Sequence, residues 1–105
     1  RVNILGKYYR IEESPTLIEM DDACGKTLCH KALILVDPTQ DFQQLQDTLL
    51  HEVVHAVYSE MGLTNEIKDE LEETIVQRMS TGILQVLKAN PGFTKLITRK
   101  PPDGE

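Results

Sequence analysis

Tryptophan is absent from this 105-residue chain, and two Phe and three Tyr are its only large aromatic side chains. A core built from so few bulky anchors must rest on aliphatic packing, and a chain of this length has room for one core and little else. There is no cluster of Lys and Arg: eleven basic side chains face seventeen acidic ones, for a formal net charge of −6. Nucleic-acid binding, whose affinity comes from neutralising phosphates, is thereby disfavoured, and no nucleic-acid partner is expected. No run of roughly eighteen apolar residues occurs and no secretory leader pattern is seen, so nothing points to a membrane or to export. Cysteine is scarce as well. Cys24 and Cys29, spaced C-x4-C and followed at once by His30, match zinc-finger patterns poorly, and no second pair completes four ligands, so free thiols are the expected state.

What is present has a clear order. Val2 to Ile11 alternates β-forming residues around Gly6-Lys7 and predicts a hairpin or kinked strand pair, in which one of Tyr8 and Tyr9 packs inward. Glu12 to Lys31 reads as mostly irregular, with Ser14-Pro15 and Cys24-Gly25-Lys26 as turn signals and Leu17-Ile18 as a short strand or helical turn. Ala32 to Val36 is an apolar run suited to a buried strand. Asp37-Pro38-Thr39-Gln40 then predicts a helix start, with Asp37 as N-cap, Pro38 at the first helical position and Gln40 closing a capping box. This helix is expected over about 38–61, stopping at Gly62. A second helix is expected over about 66–89, with Leu71, Ile75, Val76, Met79, Ile83, Val86 and Leu87 recurring at helical spacing as its packing face. Asn90-Pro91-Gly92 ends it. Residues 1–95 are expected to form a single domain and 96–105 a flexible tail.

The chemistry concentrates in His51-Glu52-Val53-Val54-His55. On a helix, residues four apart share a face, so His51 and His55 can present two imidazoles to one ion, while Glu52 lies at the edge of that face, placed to act as general base rather than ligand. Apolar neighbours from Leu49 to Val57 imply a largely buried helix, and buried imidazoles need partners. A zinc site of the hydrolytic type needs a third protein ligand and one open position. The metzincin pattern would place Gly and His where Tyr58 and Met61 stand, and is excluded. The third ligand is then expected to be a carboxylate from the acidic cluster Glu70-Leu71-Glu72-Glu73. By burial on the helical wheel Glu72 is favoured, since it falls near the middle of the apolar stripe, with Glu73 at its edge. His30 and Tyr58 are further candidates near the site, each with a plainer role as a turn residue or a packing residue. Met61 and Met79 read as core or boundary residues.

The stretches TLLHEVVHAVYSEMGL from Thr48 to Leu63 and EETIVQRMSTGILQVLK from Glu72 to Lys88 resemble the small phage-type members of the ImmA/IrrE-like zinc metallopeptidase family, and the likeness extends from about Gly25 to Pro91. The resemblance implies an α+β, minimal zincin-like domain: a small antiparallel or mixed sheet packed on two long helices. It implies zinc held by His51, His55 and Glu73, because only Glu73, three residues before Val76 and seven before Ser80, fits the family's ligand helix at both offsets. It also implies a protein or peptide substrate lying along the strand Ala32–Val36, and a bacterial cytoplasm as the compartment, with a phage or mobile element as the source. The function expected is hydrolysis of peptide bonds with Glu52 as general base. The alternative is an interaction protein that keeps the fold and the zinc without catalysis. A DNA-repair protease of the SprT-like kind is weakened by the acidic charge.

Overall fold

In the computed structural model, which describes residues 1–102, the chain opens with a hairpin. Strands β1 (Val2–Ile4) and β2 (Lys7–Glu13) pair antiparallel, with Val2 opposite Tyr9. Leu5 and Gly6 both take positive φ, 53° and 92°, the mirror-image turn whose twist matches that of the strands it joins. Gly6 adopts this freely, and its N–H is held by the Asn3 side chain at 2.8 Å. Tyr9 points inward and is fully buried, whereas Tyr8 is exposed.

A short helix, α1 (Leu17–Asp21), leads into β3 (Gly25–Leu28), and a 3₁₀ turn over Cys29–Lys31 leads into β4 (Leu33–Val36). The sheet is mixed, in the order β1-β2-β4-β3, with β4 parallel to β2 and antiparallel to β3. The apolar run is therefore central, with both edges paired, and offers no edge to a substrate. That overturns the expected substrate strand. The physical reason lies in its composition: a strand without polar residues suits a position covered on both sides. The edge strand next to it is β3, which the turn-like Cys24-Gly25-Lys26 had concealed.

Helix α2 (Phe42–Glu60) begins four residues later than Pro38, with Asp41 as its cap, accepting from Gln44 N–H at 2.8 Å. Asp37 is not the cap. Its carboxylate is fully buried and accepts from Ile18 N–H at 2.9 Å, Thr39 N–H at 2.8 Å and the Thr39 hydroxyl at 2.6 Å. The Thr39 hydroxyl foremost, then the two N–H groups, hold it below the usual carboxylate range against the opposing effect of burial. Gln40 closes no capping box; its amide donates to the carbonyls of Cys24 and Asp37. The segment expected as a helix start instead ties α1, β3 and β4 together. At the other end Gly62, at φ 78°, terminates α2 as expected.

Helix α3 (Asp69–Ala89) packs against α2, and buries Glu72, Val76 and Ser80. The expected apolar packing face is corrected: Leu71, Met79, Ile83 and Val86 are exposed, because the line through 72, 76 and 80 is what meets α2. Small and polar residues on that line let the two helices approach. Pro91 then opens a further helix, α4 (Pro91–Thr98), where a loose end was expected. Pro is well suited to a first helical position, and Thr94 fastens the new helix by donating to Leu87 O at 2.9 Å. The expected tail is thus helical up to Thr98, and its last residues, 103–105, lie outside the described residues. The core joins Ile4, Tyr9, Ile34 and Val36 of the sheet to Ala56, Leu49 and Val53 of α2.

Candidate metal centre

His51 and His55 lie one turn apart on α2, and their Nε2 atoms are 3.2 Å from each other. From α3, the Glu73 carboxylate spans the pair, with Oε1 2.9 Å from His51 Nε2 and Oε2 2.9 Å from His55 Nε2. These separations suit one small ion, since zinc bonds of about 2.0–2.1 Å in a tetrahedron put neighbouring ligand atoms roughly 3.3 Å apart. Two imidazoles and a carboxylate are also the donor set of open zinc sites, and a cleft beside them leaves the fourth position accessible.

The two carboxylates that the sequence left in competition do different things. Glu72 is buried, with 8% of its surface exposed, as the helical wheel requires. It meets the far side of the ring, with Oε2 2.7 Å from His55 Nδ1. Glu73 keeps 57% of its side chain exposed and reaches sideways to both Nε2 atoms. Burial and direction are separate properties here. A carboxylate on Nδ1 fixes the proton there, so that Nε2 carries the free lone pair toward an ion.

Glu52 is 7% exposed. Its Oε1 accepts from the Thr27 hydroxyl at 2.7 Å, and its Oε2 lies 3.9 Å from His51 Nε2, on the side of the histidine pair. Thr27 also donates to the Glu52 carbonyl at 3.0 Å, so β3 grips α2 at the residue that follows the first His. Gly25 makes this approach possible: a Cβ there would sit 2.9 Å from Glu52 Cγ and 2.7 Å from Thr48 Cγ2. Neither Gly25 nor Thr27 stood out in the sequence as part of the site. The available signal was their spacing of two, which puts both on one face of a strand.

The cleft between β3 and α2 has a volume of about 730 Å³. His51, Glu52, His55, Glu72 and Glu73 all line it, whereas His30 and Tyr58 do not. Cys24 and Cys29 are both unpaired and flank β3 at its two ends, roughly 16 Å apart along an extended chain, too far to share an ion. The outer edge of β3 pairs with no other strand among the described residues. Cys24 O accepts from Asp37 N–H on the β4 side at 2.9 Å, so by antiparallel alternation Gly25 and Thr27 direct their N–H and C=O groups outward.

Comparison with family models, curated proteins and solved structures finds no match, and the functional reading rests on the residues themselves.

Proposed function

We propose that this protein is a zinc-dependent endopeptidase, with His51, His55 and Glu73 as the metal ligands and Glu52 as the general base. The single observation that carries the reading is the convergence of Glu73 on both Nε2 atoms beside a buried Glu52. Zinc held there would lower the pKa of water toward about 7 and polarise the scissile carbonyl. Glu52 takes the proton from the attacking water and returns it to the leaving amine. Thr27 occupies Oε1 of that carboxylate, which leaves Oε2, on the histidine side, for the proton. Glu72 holds the His55 ring in the orientation and tautomer that binding requires.

The substrate is an extended segment of a protein. It pairs with the outward N–H and C=O groups of Gly25 and Thr27, which provides affinity from main-chain hydrogen bonds with little demand on sequence. The resemblance to ImmA/IrrE-like peptidases points to the same activity, and to a bacterial cytoplasm as its setting. Among the described residues, no helix is long and apolar enough to cross a membrane.

The test is metal analysis of the purified chain, followed by incubation with a peptide library. About one zinc per chain is expected, lost in His51→Ala and in His55→Ala. Glu52→Gln is expected to keep the zinc and lose cleavage, because an amide cannot accept the proton. Equal turnover by Glu52→Gln and wild type would exclude the mechanism. A partner bound equally well by both, with no cleavage by either, would favour the non-catalytic alternative.

A further inference from the structure

Two carboxylates in the cleft take no part in the chemistry proposed above. Asp47 is on α2 one turn before His51, about 6 Å along the helix axis. It is half-buried, and its Oδ1 accepts from the Thr81 hydroxyl of α3 at 2.9 Å. Asp22 stands on the turn that enters β3, held in left-handed backbone at φ 52°. Both line the cleft, and neither makes an ion pair among the described residues. They share one end of it. Strand β3 runs in the same direction as α2, since Gly25 lies against Thr48 and Thr27 against Glu52, so the turn before β3 and the earlier part of α2 coincide. The opposite end is lined by the uncharged Ser59 and Thr64.

The walls have a second property. Among the described residues, no Val, Leu, Ile, Met, Phe or Tyr lines the cleft, and Lys26 is its single Lys or Arg. An apolar substrate side chain would bury little apolar surface there, so the selectivity that burial gives is missing. A cationic side chain, by contrast, meets two unneutralised carboxylates.

We infer that the cleft selects protein segments carrying Lys or Arg one or two residues after the cleaved bond. The inference rests on the peptidase reading and names its substrate class. The side of the bond follows from strand direction. Antiparallel pairing is the more stable mode on a free edge. A segment antiparallel to β3 runs from the Cys29 end toward the Cys24 end, so the residues after the bond approach Asp22 and Asp47. At about 3.3 Å per residue, the distance from His51 to Asp47 corresponds to roughly two residues.

The experiment is cleavage of a randomised peptide library, with cut sites mapped by mass spectrometry, for the zinc-loaded wild type and the Asp22→Asn/Asp47→Asn double variant. Asn keeps the acceptor for Thr81, so fold and zinc content are expected to be unchanged. Lys and Arg are expected to be enriched after the cut, and this preference to fall about five- to tenfold in the double variant, the size two partly exposed ion pairs provide. A second readout needs no turnover: anisotropy of labelled Lys-rich and Glu-rich peptides on the zinc-loaded Glu52→Gln chain. The Lys-rich peptide is expected to bind more tightly, with the difference shrinking as salt rises. Cleavage without a basic preference, with the preference before the bond, or with a preference the double variant retains would overturn the inference and leave the peptidase reading intact. Absence of cleavage by the wild type would overturn that reading. In that case, equal binding of the two peptides would overturn the cationic selectivity as well.

Discussion

His55 Nδ1 and Glu72 Oε2 lie 2.7 Å apart, on the side of the imidazole away from the histidine pair. Glu72 Oε1 is buried without a partner among the described residues, so the contact with His55 is what compensates the burial of this carboxylate. Each group therefore depends on the other. Glu72→Ala is expected to weaken zinc binding about 10- to 100-fold, the range for losing the group that orients a ligating His. Glu72→Gln, whose amide oxygen can still accept from Nδ1–H, should be milder. Glu73→Gln replaces an anionic donor with a weak, neutral amide oxygen and should weaken binding more than either. Competition against a chromophoric chelator measures all three, and a large loss confined to the Glu72 variants would assign the direct ligand to Glu72.

Asp37 supplies a pH dependence of stability. Its folded pKa lies below the ordinary 3.8 because of the Thr39 and Ile18 hydrogen bonds. A depressed carboxylate contributes stability that is present above the unfolded pKa and lost as pH falls through the folded one. Asp37→Asn should therefore lower the melting temperature at neutral pH, and the gap from wild type should close on acidification below pH 3.8. A gap constant across that range would show that the carboxylate charge is not what Asp37 contributes.

The parts of the fold that could be read from sequence are those where one local signal dominates. His51-Glu52-x-x-His55 on an apolar helix is such a case, as are the Gly6 hairpin and the Gly62 helix end. The parts that misled are those where tertiary contacts choose among local options. Asp37-Pro38 carries every mark of a helix cap, yet its carboxylate holds the N–H of Thr39 and that of Ile18, nineteen positions earlier, and starts no helix. The apolar periodicity of α3 was real, but the face turned toward α2 is the one through Glu72, Val76 and Ser80, which only the position of α2 could select. Gly25 looked like a turn because the reason for its missing side chain is Glu52, on another element. Within the site, Glu72 and Glu73 could be ranked by burial alone or by pattern alone. Their division of labour needed the position of the His55 ring.

Tyr9 should show itself at alkaline pH. Burial first, and its 2.7 Å hydrogen bond to Glu60 second, raise the phenol above its ordinary 10.0. The stability associated with the neutral phenol is fully present below that ordinary value and is lost as pH rises toward the folded one. Tyr9→Phe should cost about 1 kcal/mol at neutral pH, a single hydrogen bond to a Glu60 that also keeps Lys7 as partner. Above pH 10.0 its melting temperature should decline less steeply than that of the wild type. Parallel alkaline profiles for the two proteins would exclude Tyr9 as the group responsible.

Gly25→Ala links packing to activity. The new methyl would lie 2.7 Å from Thr48 Cγ2 and 2.9 Å from Glu52 Cγ, both closer than carbon atoms tolerate. Overpacking of this kind costs about 1–3 kcal/mol, readable by urea denaturation. The two contacts are separable. Thr48→Ser removes Cγ2 while keeping the hydroxyl that donates to Gln40 Oε1 at 3.0 Å, so adding it to Gly25→Ala should restore part of the stability. It does nothing for Glu52, which must still move away from β3 and lose its alignment with Thr27 and the histidine pair. Stability is therefore expected to recover in the double variant while kcat stays low and zinc content stays at one per chain. If kcat recovered in step with stability, the close approach of Gly25 would serve packing alone, and the positioning of Glu52 by β3 would be refuted.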